Sequence, residues 1–549
     1  LTELDVPVLK GIRLTDRTRQ EWRVSADGLP QDSVHYRVGM PELQGASQPL
    51  VLAAAEPEHT DPRTGLRFAT TRPLDGEVAV MAERAANWLR LRNKPNADKR
   101  IGLLYYNHPP GRHNIGADNL DVPRSLMAIL RNLKRAGYTT GPLPESHEAL
   151  LDRMQERGVN LPENRAELER LHGQVPTLSA ADYREWFDTL PDAVRAEMTD
   201  GPLGYLHQTL HEAEKAGRPD LGRDLLGRMH GDLRHLLEGA DHPATERARD
   251  LLDQLRAEYE ALLAEEEGAS WEQAEELVTG LRDTGIEGLH GWGEAPGRVM
   301  VHDDDMLLPG LRFGNVWIGP QPPRGWEVNE ELLHANLAVP PPHQYLGYYH
   351  WLRDEFEVDA LVHLGRHSTY EFLPRRRVGL TDTDYPRLIA GSVPGIYPYI
   401  VDGVGEGLQA KRRGLAVMVD HLTPPLSTTP LYDQLLQLRG LVESFESAEG
   451  QGSTAARERA LERIRAKIAE LDMASELESE LRAERNNPDL TLDKVGGDLL
   501  VHEVGHHLTE MQEEFMPRGL HIFGTDWAAE ERRMMLQSMA GAGEVRDEW

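Results

Sequence analysis

The stretch that decides the fold reads DALVHLGRHSTYEFLPRRRVGL (359–380), IYPYIVDGVGEGLQAKRRG (396–414) and LAVMVDHLTPP (415–425). Its two short apolar runs, Ala360–Leu364 and Leu415–Val419, predict buried strands. Each run leads into polar side chains, namely His363, His367 and Glu371 after the first and Asp420 and His421 after the second. Ligands bind beyond the carboxyl ends of strands in α/β sheets, so we expect the functional site here.

Composition excludes several classes of protein. The 549 residues are 39% hydrophobic and 28% charged, which is typical of a globular protein with a large core. The net charge of −31 argues against a nucleic-acid partner, and no apolar run is long enough to predict a membrane span. The absence of cysteine excludes thiolate catalysis, disulfides and iron–sulfur clusters.

The sequence says less about the cellular compartment and about the ends of the chain. A cysteine-free chain is compatible with the cytoplasm, which we expect, and with the periplasm. The first residue is Leu1 rather than methionine, which suggests a fragment or a processed product.

Two further strands lead into polar loops. Ile101–Tyr105 reads as a buried strand before a Gly-containing loop at 107–119, with Pro123 placed as the first residue of a helix. This layout suits a ligand site, although an ordinary strand-to-helix connection explains it equally well. Asn315–Ile318 predicts another strand, followed by a proline-rich loop that carries Gln321 and Arg324.

A zinc-peptidase motif occurs near the C-terminus. His502-Glu503-x-x-His506 places two histidines on one helical face, where they could hold zinc with Glu503 as the general base. No GxxH extension supplies a third ligand. A buried helix with hydrogen-bonded histidines is the alternative.

The motifs resemble those of one family of proteins. HLGxHxTxE[FW]LP, YP[YF]IV, GEGxQAKRR and VDHLTPPL resemble the large subunit of cobaltochelatase and, more distantly, the H subunit of magnesium chelatase. NHPPG at 107–111, FGNVWIGPQPPRG at 313–325 and the run ending in GLHIFG at 519–524 extend the resemblance. It covers most of the chain between Arg100 and Gly524.

The resemblance implies a fold and a domain order. We expect a multidomain α/β protein with parallel sheets, a helical insertion and a helical C-terminal part. The expected domains are 1–199 (α/β, with the NHPPG loop), 200–291 (helical insertion), 292–428 (α/β core) and 429–549 (mostly helical). In the family pattern the chain passes almost directly from DAVRAEMT to WGEAPG, so the amphipathic helices of 200–291 are interpreted as inserted, either as surface decoration or as a docking arm.

The resemblance also implies a function, namely metal insertion into, or removal from, a corrin or porphyrin, with separate AAA+ subunits that hydrolyse ATP. Consistent with that, the chain has no GxxxxGK[ST] loop and would be inactive alone. Cobalt is the expected metal, with magnesium, iron and zinc as alternatives. The chain departs from HGTxEWLPGK (here HSTYEFLPRRR) and NDPGEG (here DGVGEG), which suggests a divergent member with another macrocycle or metal.

Metal insertion requires a cleft with cationic groups for the macrocycle, bases for two ring N–H protons and ligands that receive the metal. His363, His367 and Glu371 are spaced by four and would share one face of a helix, but His363 separates from the other two if it ends the strand. We expect these three as catalytic residues and, with His502, Glu503 and His506 in the same cleft, as metal ligands. The expected tetrapyrrole-binding residues are Asn107, His108, Arg112, His113, Asn114, Gln321, Arg324, Glu406, Gln409, Lys411, Arg412 and Arg413. A non-catalytic tetrapyrrole- or haem-binding protein and a zinc peptidase are the alternative functions.

Overall fold

The computed structural model describes residues 6–107, 111–112, 115–117, 120–161, 165–240, 242–286, 288–324, 338–367, 370–398, 403–420, 435, 437–442, 444–445, 454–471, 473–474, 477–478, 481–482, 490–514, 520–529, 532–533 and 535–536. The chain divides into two compact units, Leu1–Leu422 and Thr423–Trp549. Each unit is described by itself.

A six-stranded sheet forms the centre of the first unit, in the order β10–β11–β6–β12–β13–β14. All neighbours pair in parallel except β10 and β11, which form an antiparallel hairpin. The strands are β6 Ile101–Tyr105, β10 Leu311–Phe313, β11 Val316–Pro320, β12 Ala360–Leu364, β13 Gly395–Pro398 and β14 Ala416–Val419. Because the chain leaves β6, β11, β12 and β13 at the same edge, the loops that follow these strands are brought together.

The central strands of this sheet are more buried than its edge strand β14. Every residue of β6 and β11 is buried, as continuous apolar runs in parallel sheets require. The strand β14 lies at the edge and is only partly buried, with Val419 40% exposed. The strand predicted at 415–419 is therefore buried only at its start, because an edge strand is covered on fewer sides.

Among the described residues, three small sheets accompany the central one. An N-terminal sheet has the order β1–β2–β5, with β1 and β2 parallel. A hairpin β3–β4 and a sheet β7–β9–β8 complete the set. Their bounds are β1 Val8–Thr18, β2 Ala46–Ala55, β3 His59–Thr60, β4 Arg67–Phe68, β5 Thr71–Pro73, β7 Thr177–Ser179, β8 Val301–His302 and β9 Asp305–Leu307.

Helices surround the sheets. The described helices of the first unit are α1 Arg19–Val24, α2 Gln31–Val34, α3 Met40–Leu43, α4 Asp75–Asn93, α5 Val122–Arg135, α6 His147–Arg157, α7 Arg165–Leu171, α8 Ala180–Phe187, α9 Asp192–Asp200, α10 Pro202–Lys215, α11 Pro219–Gly239, α12 Thr245–Leu263, α13 Trp271–Arg282, α14 His343–His350, α15 Tyr385–Ala390 and α16 Val404–Arg412. Single π-helical turns occupy His35–Gly39 and Trp351–Glu355, and a 3₁₀ turn spans Asn96–Asp98. None of the helices that the structure describes is long and apolar enough to cross a bilayer.

The predicted helical segment 200–291 consists of α10 to α13. These four helices bury their own apolar cluster, in which Leu210, Met229, Leu252 and Leu281 are at most 2% exposed. Leucines spaced three or four apart give each helix one apolar face, and packing these faces together removes them from water.

The second unit is mostly helical where it is described. Its helices are α17 Thr454–Glu470 and α18 Gly497–Glu514, with a 3₁₀ turn at Leu492–Lys494. Ile464, Leu500 and Val504 are fully buried in a shared apolar cluster. The helices are therefore stabilised by packing within this unit.

The predicted fold class, a multidomain α/β protein with a parallel sheet and helical parts, is confirmed. The strand β6, from the expected domain 1–199, lies in the middle of the sheet whose other strands come from the expected domain 292–428. The boundaries between the four domains stay a prediction.

Candidate functional site

Polar side chains from three strand ends meet at the carboxyl edge of the central sheet. The guanidinium of Arg324, beyond β11, donates to the carbonyl of His367, beyond β12, over 2.6 Å. The amide N–H of His367 donates to Glu406 Oε1 on α16 over 2.7 Å. We call Arg324, His363, His367, Glu371 and Glu406 the strand-end cluster.

His367 is the partly exposed member of the cluster, with 31% of its side chain accessible. Its φ of +64° lies in the left-handed region, which a residue with a Cβ adopts at a cost. Arg324 holds its carbonyl and Glu406 holds its N–H, so both backbone polar groups of the strained residue are fixed by charged side chains. The ring Nδ1 lies 3.3 Å from Glu406 Oε2. These contacts hold the imidazole in one orientation, with the Glu406 carboxylate next to its Nδ1.

Glu406 is buried and ionised. It lies in the first turn of α16, where the helix dipole favours a negative charge. Burial alone would raise its pKa, but the hydrogen bond and the charge of His367, together with the Tyr397 hydroxyl, lower the pKa to about 2. Glu406 therefore faces His367 as a carboxylate.

The Glu406→Gln variant is expected to lose stability in a pH-dependent way. Because the folded-state pKa lies below the usual 4.5, the contribution of the carboxylate is complete above that value. It is lost as the pH falls towards 2. Urea unfolding should show a variant less stable by about 1.5–3 kcal/mol at pH 7, the range of a hydrogen bond to a charged group. The difference from wild type should shrink below about pH 4; an equal difference at pH 7 and pH 3 would contradict this assignment.

Arg324 connects the cluster to the neighbouring strand ends. It is 8% exposed, donates to Gln321 Oε1 over 3.0 Å, and lies over the rings of Phe372 and Tyr106 at 4.8 and 5.8 Å. Burial works against its charge, but Tyr106, Tyr345, Glu371 and Glu406 outweigh burial and raise its pKa. The guanidinium therefore stays charged beside two carboxylates.

His363 and Glu371 form the deep part of the cluster. His363 is 1% exposed; its Nε2 lies 3.1 Å from the Tyr349 hydroxyl, and its Nδ1 has no hydrogen-bond partner among the described residues. Burial lowers the pKa of His363 to about 3, so the ring is neutral at physiological pH. Glu371 is fully buried.

His363, His367 and Glu371 do not share a helical face; the structure shows the alternative expectation, in which His363 belongs to the strand and separates from the other two. His363 lies within β12, and the chain then turns at Gly365 and His367, both with positive φ. The i, i+4 rule does not apply across such a turn. In the part of the chain that the structure describes, no three His, Asp or Glu side chains are placed to hold a metal ion. A preformed metal site of these three residues is therefore not assembled.

The predicted residues of the 107–119 loop divide into two groups. Asn107 is buried, donates to the Gly111 carbonyl over 2.9 Å and accepts from the Asn160 N–H, while Asn160 donates to the Gln321 carbonyl. It thus supports the loop that carries Arg324. Arg112 instead bonds to the carbonyl of Gln155 and pairs with Glu167. His108, His113 and Asn114 lie outside the described residues.

Two of the cationic side chains predicted to bind the macrocycle, Arg412 and Arg413, bind other parts of the same chain instead. Arg412 forms a two-pronged ion pair with Glu42, at 2.7 and 3.0 Å. Arg413 is 5% exposed and donates to backbone carbonyls of the segment 371–376. Lys411 and Gln409 are half-buried on the same helix. Neither arginine is therefore placed to bind the edge of a macrocycle.

The zinc-peptidase motif lies on α18, in the second unit. Glu503, its general base in that interpretation, is only 5% exposed. The side chains of His502 and His506 lie outside the described residues. Zinc binding there, and a cleft shared with the strand-end cluster, stay predictions.

Sequence reasoning missed the tyrosines that complete the site. Tyr349 bonds to His363, Tyr397 to Glu406, and Tyr345 accepts from Gln321 over 3.0 Å. All three are fully buried. Only the fold shows that their hydroxyl groups face the cluster.

A parallel sheet with ionisable side chains at its carboxyl edge is the arrangement in which α/β proteins commonly bind ligands. The family model described as CobN/Magnesium Chelatase matches residues 1–216 and 232–548. The chain belongs to this family. Within the predicted insertion 200–291, only 217–231 lies outside the match.

Known relatives agree with this assignment. The aerobic cobaltochelatase subunit CobN of Sinorhizobium sp is 27% identical over 95% of this chain and 32% of its own length. The chloroplastic magnesium-chelatase subunit ChlH of Oryza sativa subsp. indica is 26% identical over 100% of this chain and 31% of its own. The structure of the catalytic subunit of cobaltochelatase from Mycobacterium tuberculosis matches 96% of this chain and 36% of that one, with a TM-score of 0.53 and 25% identity. The chain thus spans about a third of the length of these proteins.

Proposed function

We propose that this chain is the tetrapyrrole-binding part of the large subunit of an ATP-dependent metal chelatase. The observation that carries the proposal is the partly exposed His367, held between Arg324 and Glu406 at the strand ends of a chain from the chelatase family. Bases that meet a ligand at a sheet edge suit a reaction in which a macrocycle loses protons.

Metal insertion removes two protons from the ring nitrogens and places a divalent metal between them. The imidazole of His367 accepts a proton, and Glu406 stabilises the resulting imidazolium. Arg324 keeps His367 in its strained turn and balances the charge of Glu406 and Glu371. Glu371 is the second base, within the deep part of the cluster.

The metal is a substrate in this proposal. Imidazole and carboxylate groups suit cobalt first, with magnesium, iron and zinc as alternatives. Since the sequence contains no phosphate-binding GxxxxGK[ST] loop, we propose that AAA+ partner subunits hydrolyse ATP.

A titration of the purified chain with a free-base porphyrin, a metal-free corrinoid and haem, followed by absorbance, tests the proposal. We expect saturable binding of one of the three. The His367→Ala variant should bind it about tenfold more weakly, a loss of 1.4 kcal/mol. The matched His59→Ala variant, which changes an exposed histidine of the β3–β4 hairpin, should bind as the wild type does.

Binding of none of the three macrocycles would overturn the proposal. Saturable binding without metal transfer, when the AAA+ subunits and ATP are present, would instead favour the non-catalytic tetrapyrrole-binding alternative.

A further inference from the structure

The helix α16 touches the strand-end cluster at both of its ends. Near its start, Glu406 holds the N–H of His367. Just after its end, Arg413 reaches the segment that carries Glu371. One helix thus contacts the backbone of two members of the cluster.

The guanidinium of Arg413 donates its hydrogen bonds to backbone carbonyls. Its Nη1 donates to the carbonyl of Glu371 and its Nη2 to that of Leu373, while Nε donates to the carbonyl of Arg376 over 2.8 Å. The Arg375 carbonyl lies 3.5 Å from Nη2. Within the described residues no carboxylate lies at ion-pair distance from this guanidinium, which is 5% exposed. A buried cation whose partners are carbonyls has a fixed geometry, since its forked donors fit few arrangements of acceptors.

The segment 371–376 needs such a partner. It consists of turns and bends rather than helix or strand, so its carbonyls have no regular backbone ladder to join. Arg375 has a φ of +100°, which only an enclosing structure holds for a residue with a side chain. All six residues are buried, so a carbonyl without a donor would be costly.

We infer that Arg413 is a positioning residue that holds the Glu371 backbone in place for metal insertion, by clamping the carbonyls of the 371–376 segment. The inference rests on the proposed function. It assigns Arg413 a role different from a direct contact with the macrocycle.

Three variants test the inference: Arg413→Met removes the donors and keeps the stem, Arg413→Lys keeps the charge without the fork, and Arg413→Ala leaves space for an added guanidinium ion. We expect all three to lower the rate of metal insertion by the protein with its AAA+ subunits about 10- to 100-fold, the effect of a small displacement of a catalytic group. Macrocycle affinity should be unchanged. Millimolar guanidinium, but not ammonium, should restore part of the rate of Arg413→Ala. The Arg377→Met variant, which changes an exposed neighbour, serves as the control.

Hydrogen exchange of the 371–376 amides, measured on the chain alone, should accelerate in Arg413→Met and stay unchanged in Arg377→Met. Full activity of Arg413→Lys would overturn the inference, because charge alone would then suffice. A loss of macrocycle affinity that matches the loss of rate would also overturn it and indicate direct binding. If the wild-type chain binds no macrocycle, the proposed function is wrong. If the wild type inserts metal and the Arg413 variants do so at the same rate, only the inference about Arg413 is wrong.

Discussion

Replacing Glu371 by Gln should reduce metal insertion by about 10²–10⁴-fold and leave macrocycle binding intact, because the variant keeps the shape of the side chain and loses the proton-accepting group. Glu371 is fully buried, and its charge contributes to the raised pKa of Arg324 and opposes the lowering of that of Arg413. A buried carboxylate that faces the strand-end cluster is suited to act as a general base. The measurement is single-turnover metal insertion, with macrocycle binding titrated in parallel.

Glu357→Gln is the matched control for this prediction. Glu357 pairs with Arg100, and its side chain is 68% exposed. The residue precedes β12, at the opposite edge of the central sheet from the strand-end cluster. Its substitution should leave the rate unchanged. Turnover of Glu371→Gln at the wild-type rate would remove Glu371 from the reaction.

Replacing Asp384 by Asn should destabilise the first unit by about 3–5 kcal/mol, the cost of breaking a buried ion pair. Asp384 is fully buried; its two oxygens accept from the guanidinium and the N–H of Arg376 and from the N–H and hydroxyl of Thr381, all within 3.1 Å. Asparagine leaves the buried charge of Arg376 uncompensated. Urea unfolding followed by tryptophan fluorescence reports mainly on the first unit, which holds eight of the ten tryptophans.

The effect of this substitution depends on pH. Burial opposes the ionisation of Asp384, but the charge of Arg376 and the N–H groups of Thr381 and Arg376 hold its pKa below the usual 3.8. The stabilisation is complete above that value and is lost as the pH falls through the lowered pKa. The gap between wild type and Asp384→Asn should therefore narrow in acid.

Asp382→Asn provides the comparison within the same segment. Asp382 pairs with Arg23 over 3.1 Å, and the two side chains are 49% and 37% exposed. An exposed ion pair of this kind contributes about 0–1 kcal/mol. If the two variants lost the same free energy of unfolding, burial would not be the reason for the large effect expected at Asp384.

The strands of the central sheet were predictable, since their signal is local. The runs Ile101–Tyr105 and Ala360–Leu364 are apolar and short, and each ends at polar residues; both are strands with those bounds. The order of the strands was not predictable, because pairing of β6 with β11 and β12 joins residues more than 200 positions apart. Nothing in a local window specifies such a partner.

The candidate site shows the same limit. The position of His367 and Arg324 beyond strand ends follows from the sequence pattern, and the structure brings them into contact. The ion pair of Arg412 could not be predicted from the sequence pattern, because its partner Glu42 lies 370 residues away in the chain. A cationic run indicates binding of an anion, but whether the anion belongs to a ligand or to the same chain is decided by tertiary packing.

The position of β6 in the middle of the central sheet has a consequence for synthesis. Its neighbours β11 and β12 follow about 200 and 250 residues later, so at 5–20 residues per second the finished strand waits roughly 10–50 s for them. The helices α10 to α13 emerge during this interval and can pack through contacts close in sequence. An apolar strand exposed for so long on a nascent chain invites pairing with other chains, and we expect yield in a cell to depend on the supply of holdase chaperones during translation.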